Sequence, residues 1–356
     1  MPDPRPLGEV RWAIAATGDV SRQVASDFAA VPGARRAAVL SRDVARARAF
    51  ADEFDFSRAF DSLDDLVADP QIDAIYIATP HALHAPMALQ AIAAGKHVLV
   101  EKPLGVNAAE ARQIAEAAHR QGVFAMEAMW MKFNPAFRAF TDQVRTGRIG
   151  EIRTVRGCFG LPFGAADSPR WSAERASSTL LDQGIYPVTL ALELLGAPDG
   201  VTADGRIRSD GVNLTTYVTL RYDGGQVAQL AASMVEFIDP TASVSGTAGW
   251  ITIPAPFIRA SQFATHATDG ALTGAVFSSP EVSRFDREGN GYVPMLRAVT
   301  EAILCGDTEH EWHPLRASVE VFDVLDEIRS ALTSSTNAVP TDLQSIADKA
   351  SRPGTP

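Results

Sequence analysis

Between residues 10 and 104 one pattern recurs: a short apolar run, a turn, then an amphipathic stretch. That alternation is the signature of βαβ units, because parallel strands buried on both faces need crossover helices to cover them. Residues 10–15 form the first run and pass through Thr17-Gly18-Asp19 into a stretch with Val20, Val24 and Phe28 at helical spacing, which Pro32-Gly33 ends. Residues 37–40 read as a second strand, followed by the buried stripe Val44, Ala47, Phe50, Ala51 and Phe54. Ser62-x-x-Asp65 opens another helix, residues 75–78 and 98–100 are strands, and a helix over 86–94 lies between them, closed by Gly95. Asn107-x-x-Glu110 places N-cap and N3 side chains to satisfy two orphan amides, so a helix runs to about His119, and residues 123–126 add a strand. Residues 1–127 therefore predict an α/β Rossmann domain with a doubly wound parallel sheet.

Beyond Pro135 the period changes to two over residues 152–159, 214–222 and 226–233, with a hairpin turn at Asp223-Gly224-Gly225. With helices expected over 294–304 and 315–332, residues 128–332 predict an α+β domain built on a large, mainly antiparallel open sheet. Residues 333–356 read as a peripheral tail with a short helix around Leu343. A length of 356 residues suits two domains.

The composition excludes several classes of function. A net charge of −11 opposes binding to a polyanion. The longest apolar runs are strand-sized, so no membrane span is expected. The start of the chain shows no apolar signal region, and its two cysteines, Cys158 and Cys305, lie far apart without a Cys-x-x-Cys pattern. The expectation is a cytoplasmic protein whose cysteines are small buried hydrophobes.

In a dinucleotide fold the first strand–turn–helix holds a pyrophosphate on the helix amides. Ala16-Thr17-Gly18-Asp19-Val20-Ser21 keeps only the middle glycine of G-x-G-x-x-G, and Ala16 suits the first place if that residue needs no positive φ. At the end of the second strand, Ser41 and Arg42 offer a hydroxyl and a guanidinium, with Arg46 one helical turn on. That set suits the 2′-phosphate of NADP and disfavours NAD, while Asp43 is placed to cap the next helix. Thr79, Pro80, His81 and His84 follow the fourth strand and Glu101-Lys102-Pro103 the fifth, both at the carboxyl edge where ligands of open α/β sheets lie. His310 and His313 are not spaced as H-E-x-x-H, so no metal site is expected.

Taken in order, Thr17-Gly18, Ser41-Arg42, Ala78-Thr79-Pro80-x-x-x-His84, Ala94-Gly95-Lys96-His97-Val98, Glu101-Lys102-Pro103, Gly150-Glu151-Ile152 and Asp182-x-Gly184-x-Tyr186 resemble the glucose–fructose oxidoreductase / inositol dehydrogenase group, Gfo/Idh/MocA, over residues 9–332. The run Glu127-Ala128-Met129-Trp130-x-x-Phe133-x-Pro135 is most similar to the branch of dimeric dihydrodiol dehydrogenases and NADP-linked aldose dehydrogenases. The resemblance implies that Lys102 is the catalytic lysine near the nicotinamide and that Tyr186 occupies the place of a catalytic His or Tyr. It also implies a homodimer or higher homo-oligomer formed through the large sheet. Chemistry agrees with the pairing: hydride transfer from a carbinol requires loss of the hydroxyl proton, and an ammonium lowers a nearby phenol pKa. Asp182 would orient the lysine or hold a substrate hydroxyl.

Trp130, Phe159 and Trp171 are candidates to line a pocket for a ring-shaped substrate, with core packing the equal alternative for each. The substrate expected is an aldose, cyclic polyol or trans-dihydrodiol. A ketosugar reductase, an inositol dehydrogenase and a non-catalytic NADP-sensing regulator are the alternatives. Relatives usually carry a glycine-rich run where this chain has Ser177-Ser178-Thr179, whose side chains are expected to reshape the substrate pocket.

Overall fold

The structure, a computed structural model, describes residues 8–163, 171–268 and 279–335. The chain divides into two compact units, one made of Met1–Pro135 and Asp286–Glu320, the other of Ala136–Phe285 and Val321–Pro356. The first unit is therefore discontinuous in sequence.

In the first unit the order is β1 (Val10–Ala15), α1 (Asp19–Phe28), β2 (Ala34–Leu40), α2 (Val44–Glu53), β3 (Arg58–Phe60), α3 (Leu63–Ala68), β4 (Ala74–Ile77), α4 (His84–Ala93), β5 (His97–Glu101), α5 (Ala108–Gln121) and β6 (Ala125–Ala128). The six strands lie in the order β3-β2-β1-β4-β5-β6, and each pairs in parallel with its neighbours. The chain leaves β1 towards one edge and returns to its other side at β4, which makes the β1–β4 boundary the switch point where such sheets bind ligands. Continuous apolar runs suit strands covered on both faces: Trp12, Ile14, Ile75, Tyr76 and Leu99 are all fully buried.

The expected caps form, with one difference. Ser62 Oγ accepts the Asp65 amide at 3.3 Å, and Asn107 Oδ1 accepts the Glu110 amide at 2.9 Å. Glu110 itself reaches past the N-cap to the Val106 amide at 2.9 Å. α4 starts at His84, before Pro86, because proline is tolerated in the first turn of a helix where its amide has no partner to lose.

The second unit opens with α6 (Pro135–Arg145) and β7 (Ile152–Gly160), then α7 (Ile185–Leu195), β8 (Gly200–Ile207), β9 (Asn213–Arg221), β10 (Val227–Ser233), β11 (Ala242–Gly246), β12 (Gly249–Ile253), β13 (Gln262–Ala267) and β14 (Glu281–Arg284). Two later helices complete the described chain: α8 (Val293–Cys305) belongs to the first unit, and α9 (Leu315–Ser335) has residues in both, the second unit resuming at Val321. The eight-stranded sheet runs β14-β13-β12-β11-β7-β10-β9-β8, with only the β7–β10 pair parallel. The hairpin turn forms where the glycines predict it, with Gly225 at φ +80°. Along β7, Val155, Gly157 and Phe159 are buried while Arg156 is exposed. A side chain at Gly157 would meet Pro187 at 3.0 Å, so this glycine lets α7 lie close on the sheet.

The expectation of two buried cysteines is corrected: Cys158 is half-buried and Cys305 is exposed. Cys305 is the last residue of α8, before the left-handed cap Gly306, and Leu304 beside it is exposed as well. The helix predicted around Leu343 lies outside the described residues. Among those described, no helix is long and apolar enough to cross a membrane.

Candidate active site

The carboxyl edge of the parallel sheet gathers most of the residues singled out in the sequence. At the β1–α1 turn Gly18 is the N-cap of α1, and no side chain caps the helix. A Cβ built on Gly18 meets nothing within 4 Å, so the space above the first amides is open. Uncapped amides, the helix dipole and open space together fit a pyrophosphate. Thr17 is half-buried, Asp19 exposed and Val20 half-buried, while Ser21, in the place of the third glycine, is fully buried. Ala16 overturns an expectation: its φ is +113°, a region that L residues enter only at a cost of about 1–3 kcal/mol. The turn geometry, not the residue's preference, sets that angle.

At the end of β2 the Ser41 amide donates to the Phe60 carbonyl at 3.1 Å. The Asp43 side chain caps α2, accepting the amides of Ala45 and Arg46 at 2.9 and 3.2 Å. That carboxylate is thereby committed to the helix. Arg42 and Arg46 are both exposed, and neither guanidinium is paired with a carboxylate among the described residues.

The turns after β4 and β5 are tied to each other. His84, fully buried, sits between two carbonyls, with Nδ1 2.6 Å from the Pro103 oxygen and Nε2 2.7 Å from the Thr79 oxygen. Burial lowers its pKa more than the two carbonyls, which favour the imidazolium, raise it, so the net shift is downward. Both ring nitrogens are occupied, and His84 serves this edge by joining the two turns. His81 packs edge-on against it, with ring centroids 5.7 Å apart. Pro80 leads directly into that short helical turn.

Lys102 is half-buried, directly after β5, and its peptide bond to Pro103 is cis. Glu101 turns inward: one carboxylate oxygen bonds the Tyr76 hydroxyl and the other accepts the Lys102 amide at 3.1 Å. The Leu104 amide donates to Glu127, at the end of the neighbouring β6, at 2.9 Å. Sequence reasoning used Glu127 only as part of a resemblance and missed this contact, which joins residues 23 positions apart.

His313, set aside as a metal ligand, lies against Glu127 at 3.1 Å. His310 packs on Phe133 and Trp312. Trp130, also in this unit, is buried and stacked on Tyr292, with ring centroids 5.1 Å apart.

In the second unit, Tyr186 lies in the first turn of α7 and is buried, and Phe159 meets it edge-on at 5.7 Å. Asp182 is half-buried in the π-helical turn Leu180–Gly184 that leads into α7. Trp171 packs elsewhere, with Phe163, Val212, Leu214 and Met234.

Thr179 does not face a pocket, as the Ser177-Ser178-Thr179 run led us to expect. It is fully buried, and its hydroxyl donates to the Leu214 carbonyl at 2.7 Å and accepts the Met234 amide at 3.0 Å. With Asn213, whose side chain accepts the Leu180 amide at 3.1 Å, it anchors the turn that carries Asp182 to the sheet.

Two family profiles match the chain: "Oxidoreductase family, NAD-binding Rossmann fold" over residues 10–129 and "GFO/IDH/MocA C-terminal domain" over residues 137–252. The chain belongs to the Gfo/Idh/MocA oxidoreductase family. It is 35% identical over 334 residues to trans-1,2-dihydrobenzene-1,2-diol dehydrogenase of Mus musculus, and 32% identical over 329 residues to the Homo sapiens protein of that name, covering 91% of this chain and 97% of each relative. Solved structures share the fold. They include levoglucosan dehydrogenase in complex with NADH and levoglucosan (TM-score 0.82, 19% identity, 92% of this chain and 98% of that one). KijD10, a 3-ketoreductase from Actinomadura kijaniata with NADP and TDP-benzene, has a TM-score of 0.79 at 24% identity, over 94% of this chain and 99% of that one. The Gfo/Idh/MocA chain is thus an oxidoreductase whose Rossmann unit binds a nicotinamide dinucleotide.

Proposed function

We propose that the protein is an NADP-dependent oxidoreductase that moves a hydride between the nicotinamide and a secondary hydroxyl or hemiacetal carbon of an aldose, a cyclic polyol or a trans-dihydrodiol. Lys102 and Tyr186 handle the proton in this reading. The observation that carries it is the Lys102 turn: a half-buried lysine at the carboxyl edge of a dinucleotide-binding sheet, with the backbone around it fixed by buried partners.

Bound at this edge, the cofactor supplies the hydride acceptor or donor. The uncapped amides of α1 take the pyrophosphate, with Thr17, Asp19 and Val20 forming the rest of that turn. Ser41, Arg42 and Arg46 take the 2′-phosphate, an assignment supported by the exposure of both guanidinium groups, neither of which is paired with a carboxylate among the described residues. Thr79, Pro80 and His81 shape the remaining wall, and the buried His84 and Glu101 hold the turns that carry it. Lys102 holds the substrate oxygen by its positive charge, and Tyr186 accepts or returns the hydroxyl proton as a general base or acid. Asp182 holds a second hydroxyl. Trp130, Phe159 and Trp171 are the aromatic candidates, and Phe159 is favoured by its contact with Tyr186.

Identity to the trans-1,2-dihydrobenzene-1,2-diol dehydrogenases favours a diol substrate. The likeness to KijD10 supports a ketosugar as the second reading, and solved structures of that reductase include a lysine-to-alanine and a tyrosine-to-phenylalanine variant. Homodimerisation through the open face of the large sheet, where Arg156 and Tyr217 are exposed, completes the proposal.

The test is cofactor turnover with NADPH and NADH, or their oxidised forms, against dihydrodiols, aldoses, inositols and ketosugars. Turnover with the phosphorylated cofactor on a dihydrodiol or aldose is expected. Turnover on ketosugars alone selects the second reading, and preference for NAD(H) contradicts the 2′-phosphate assignment.

A further inference from the structure

Three polar side chains outside the residues assigned to the reaction are fully buried together in the first unit: Glu127, His313 and Ser318. Ser318 Oγ donates to Glu127 Oε2 at 2.8 Å, His313 Nε2 lies 3.1 Å from the same oxygen, and Ser318 Oγ and His313 Nε2 are 3.0 Å apart. The trio has the residue types of a nucleophilic triad but not its geometry. The hydroxyl hydrogen is spent on the carboxylate, and at no more than 1% exposure no substrate reaches the serine. Its task is therefore something other than hydrolysis.

Burying a carboxylate costs several kcal/mol unless every oxygen finds a donor, and an apolar side chain would fill the end of β6 at lower cost. Here the donors are present. Burial pushes the Glu127 carboxyl up, but the hydrogen bond and charge of His313, then Ser318 and the Leu104 amide, outweigh it and hold the group below the usual carboxylate range.

The remaining oxygen, Oε1, points to the Lys102 turn and takes the Leu104 amide. The turn repeats this device: the amides of Lys102, Leu104 and Val106 are taken in succession by Glu101, Glu127 and Glu110. Glu101 and Glu110 are local, whereas Glu127 comes from the adjacent strand and is itself gripped by residues 186 and 191 positions away.

We propose that Glu127 is a positioning residue: clamped by His313 and Ser318, its carboxylate fixes the Lys102 turn through the amide of Leu104. The proposal rests on the reading that Lys102 acts in the proton step. Glu127 touches neither substrate nor cofactor in it.

The test combines amide hydrogen exchange across residues 102–106 of the full chain without cofactor and steady-state turnover of the substrate found by the screen. Both are measured for E127A, E127Q, S318A and K102A. In E127A the buried Leu104 amide loses its acceptor, so exchange should quicken about 10-fold and kcat should fall by about 10- to 100-fold with KM changed less than about threefold. E127Q keeps an acceptor oxygen and should recover most of both. S318A, a small deletion that leaves the carboxylate in place, should shift both in the same direction by about threefold.

Wild-type exchange in E127A, or in S318A should E127A fail to fold, overturns the proposal. So does a glutamine variant no better than alanine. K102A separates the two ideas: full turnover in K102A overturns the lysine's role whatever Glu127 does, while lost turnover in K102A with wild-type kcat in E127A and S318A overturns the positioning role alone.

Discussion

Two turns on the same sheet edge are built in opposite ways. The β1–α1 turn is open: its helix has no side-chain cap, Gly18 faces space, and Ala16 is forced to positive φ. The β5–α5 turn is braced from every side, by Tyr76 through Glu101, by His84, by Glu110 and by Glu127. The difference is what the proposed roles of the two turns require. A turn that binds an anion through backbone amides must leave them unclaimed, whereas a turn that presents one side chain for chemistry must spend its amides on holding still.

Removing a cation beside the open turn probes its half of the comparison. Arg42→Ala should weaken NADP(H) by about 10- to 100-fold, the equivalent of a lost charge-assisted hydrogen bond, and leave NAD(H) little changed. Fluorescence titration of both reduced cofactors checks it; equal losses would put the 2′-phosphate elsewhere.

A smaller effect is expected at the strained residue. Ala16→Gly should stabilise the fold by about 1 kcal/mol, since relief of strain outweighs the added freedom of the unfolded chain. Denaturant unfolding reads this directly, and a loss of stability would mean that the angle carries no strain.

The smallest effect lies in the braced turn and shows as a pH dependence. Burial holds the folded pKa of His84 below the ordinary value of about 6.5. Its contribution is fully present above that value and is lost as pH falls through it towards the folded pKa, because the unfolded chain then binds the proton more readily. Wild type should therefore lose more melting temperature than His84→Gln between pH 7.5 and pH 5.5. Parallel curves would remove His84 as a titrating brace.

What the sequence made legible was whatever local periodicity and local capping encode. β1, β4, β5, the caps at Ser62 and Asn107, and the Gly225 hairpin all fall where apolar spacing and turn residues put them. The edge carrying Gly18, Arg42 and Lys102 was legible for the same reason, since each follows a readable strand. The angle of Ala16 was not, because alanine's own preference opposes it and only the turn imposes it.

Partnerships across long separations were hidden too. Glu127 and His313 lie 186 positions apart, and each in isolation reads as an ordinary polar residue. The short strands β11 to β14 are defined by their neighbours in the sheet more than by their own alternation. Thr179 looked like a pocket residue because its sequence neighbours are small and polar, while its hydroxyl in fact ties β9 and the residue that follows β10 to the turn before α7.

That the braced turn exists to present Lys102 is tested most directly by measuring turnover and NADPH affinity side by side in Lys102→Ala. The expected result is a fall in turnover on the order of 100-fold or more, in the range of lost general acid–base catalysis, with cofactor affinity within a few-fold of wild type. Turnover equal to that of the wild type, or a loss explained entirely by weaker cofactor binding, would contradict it.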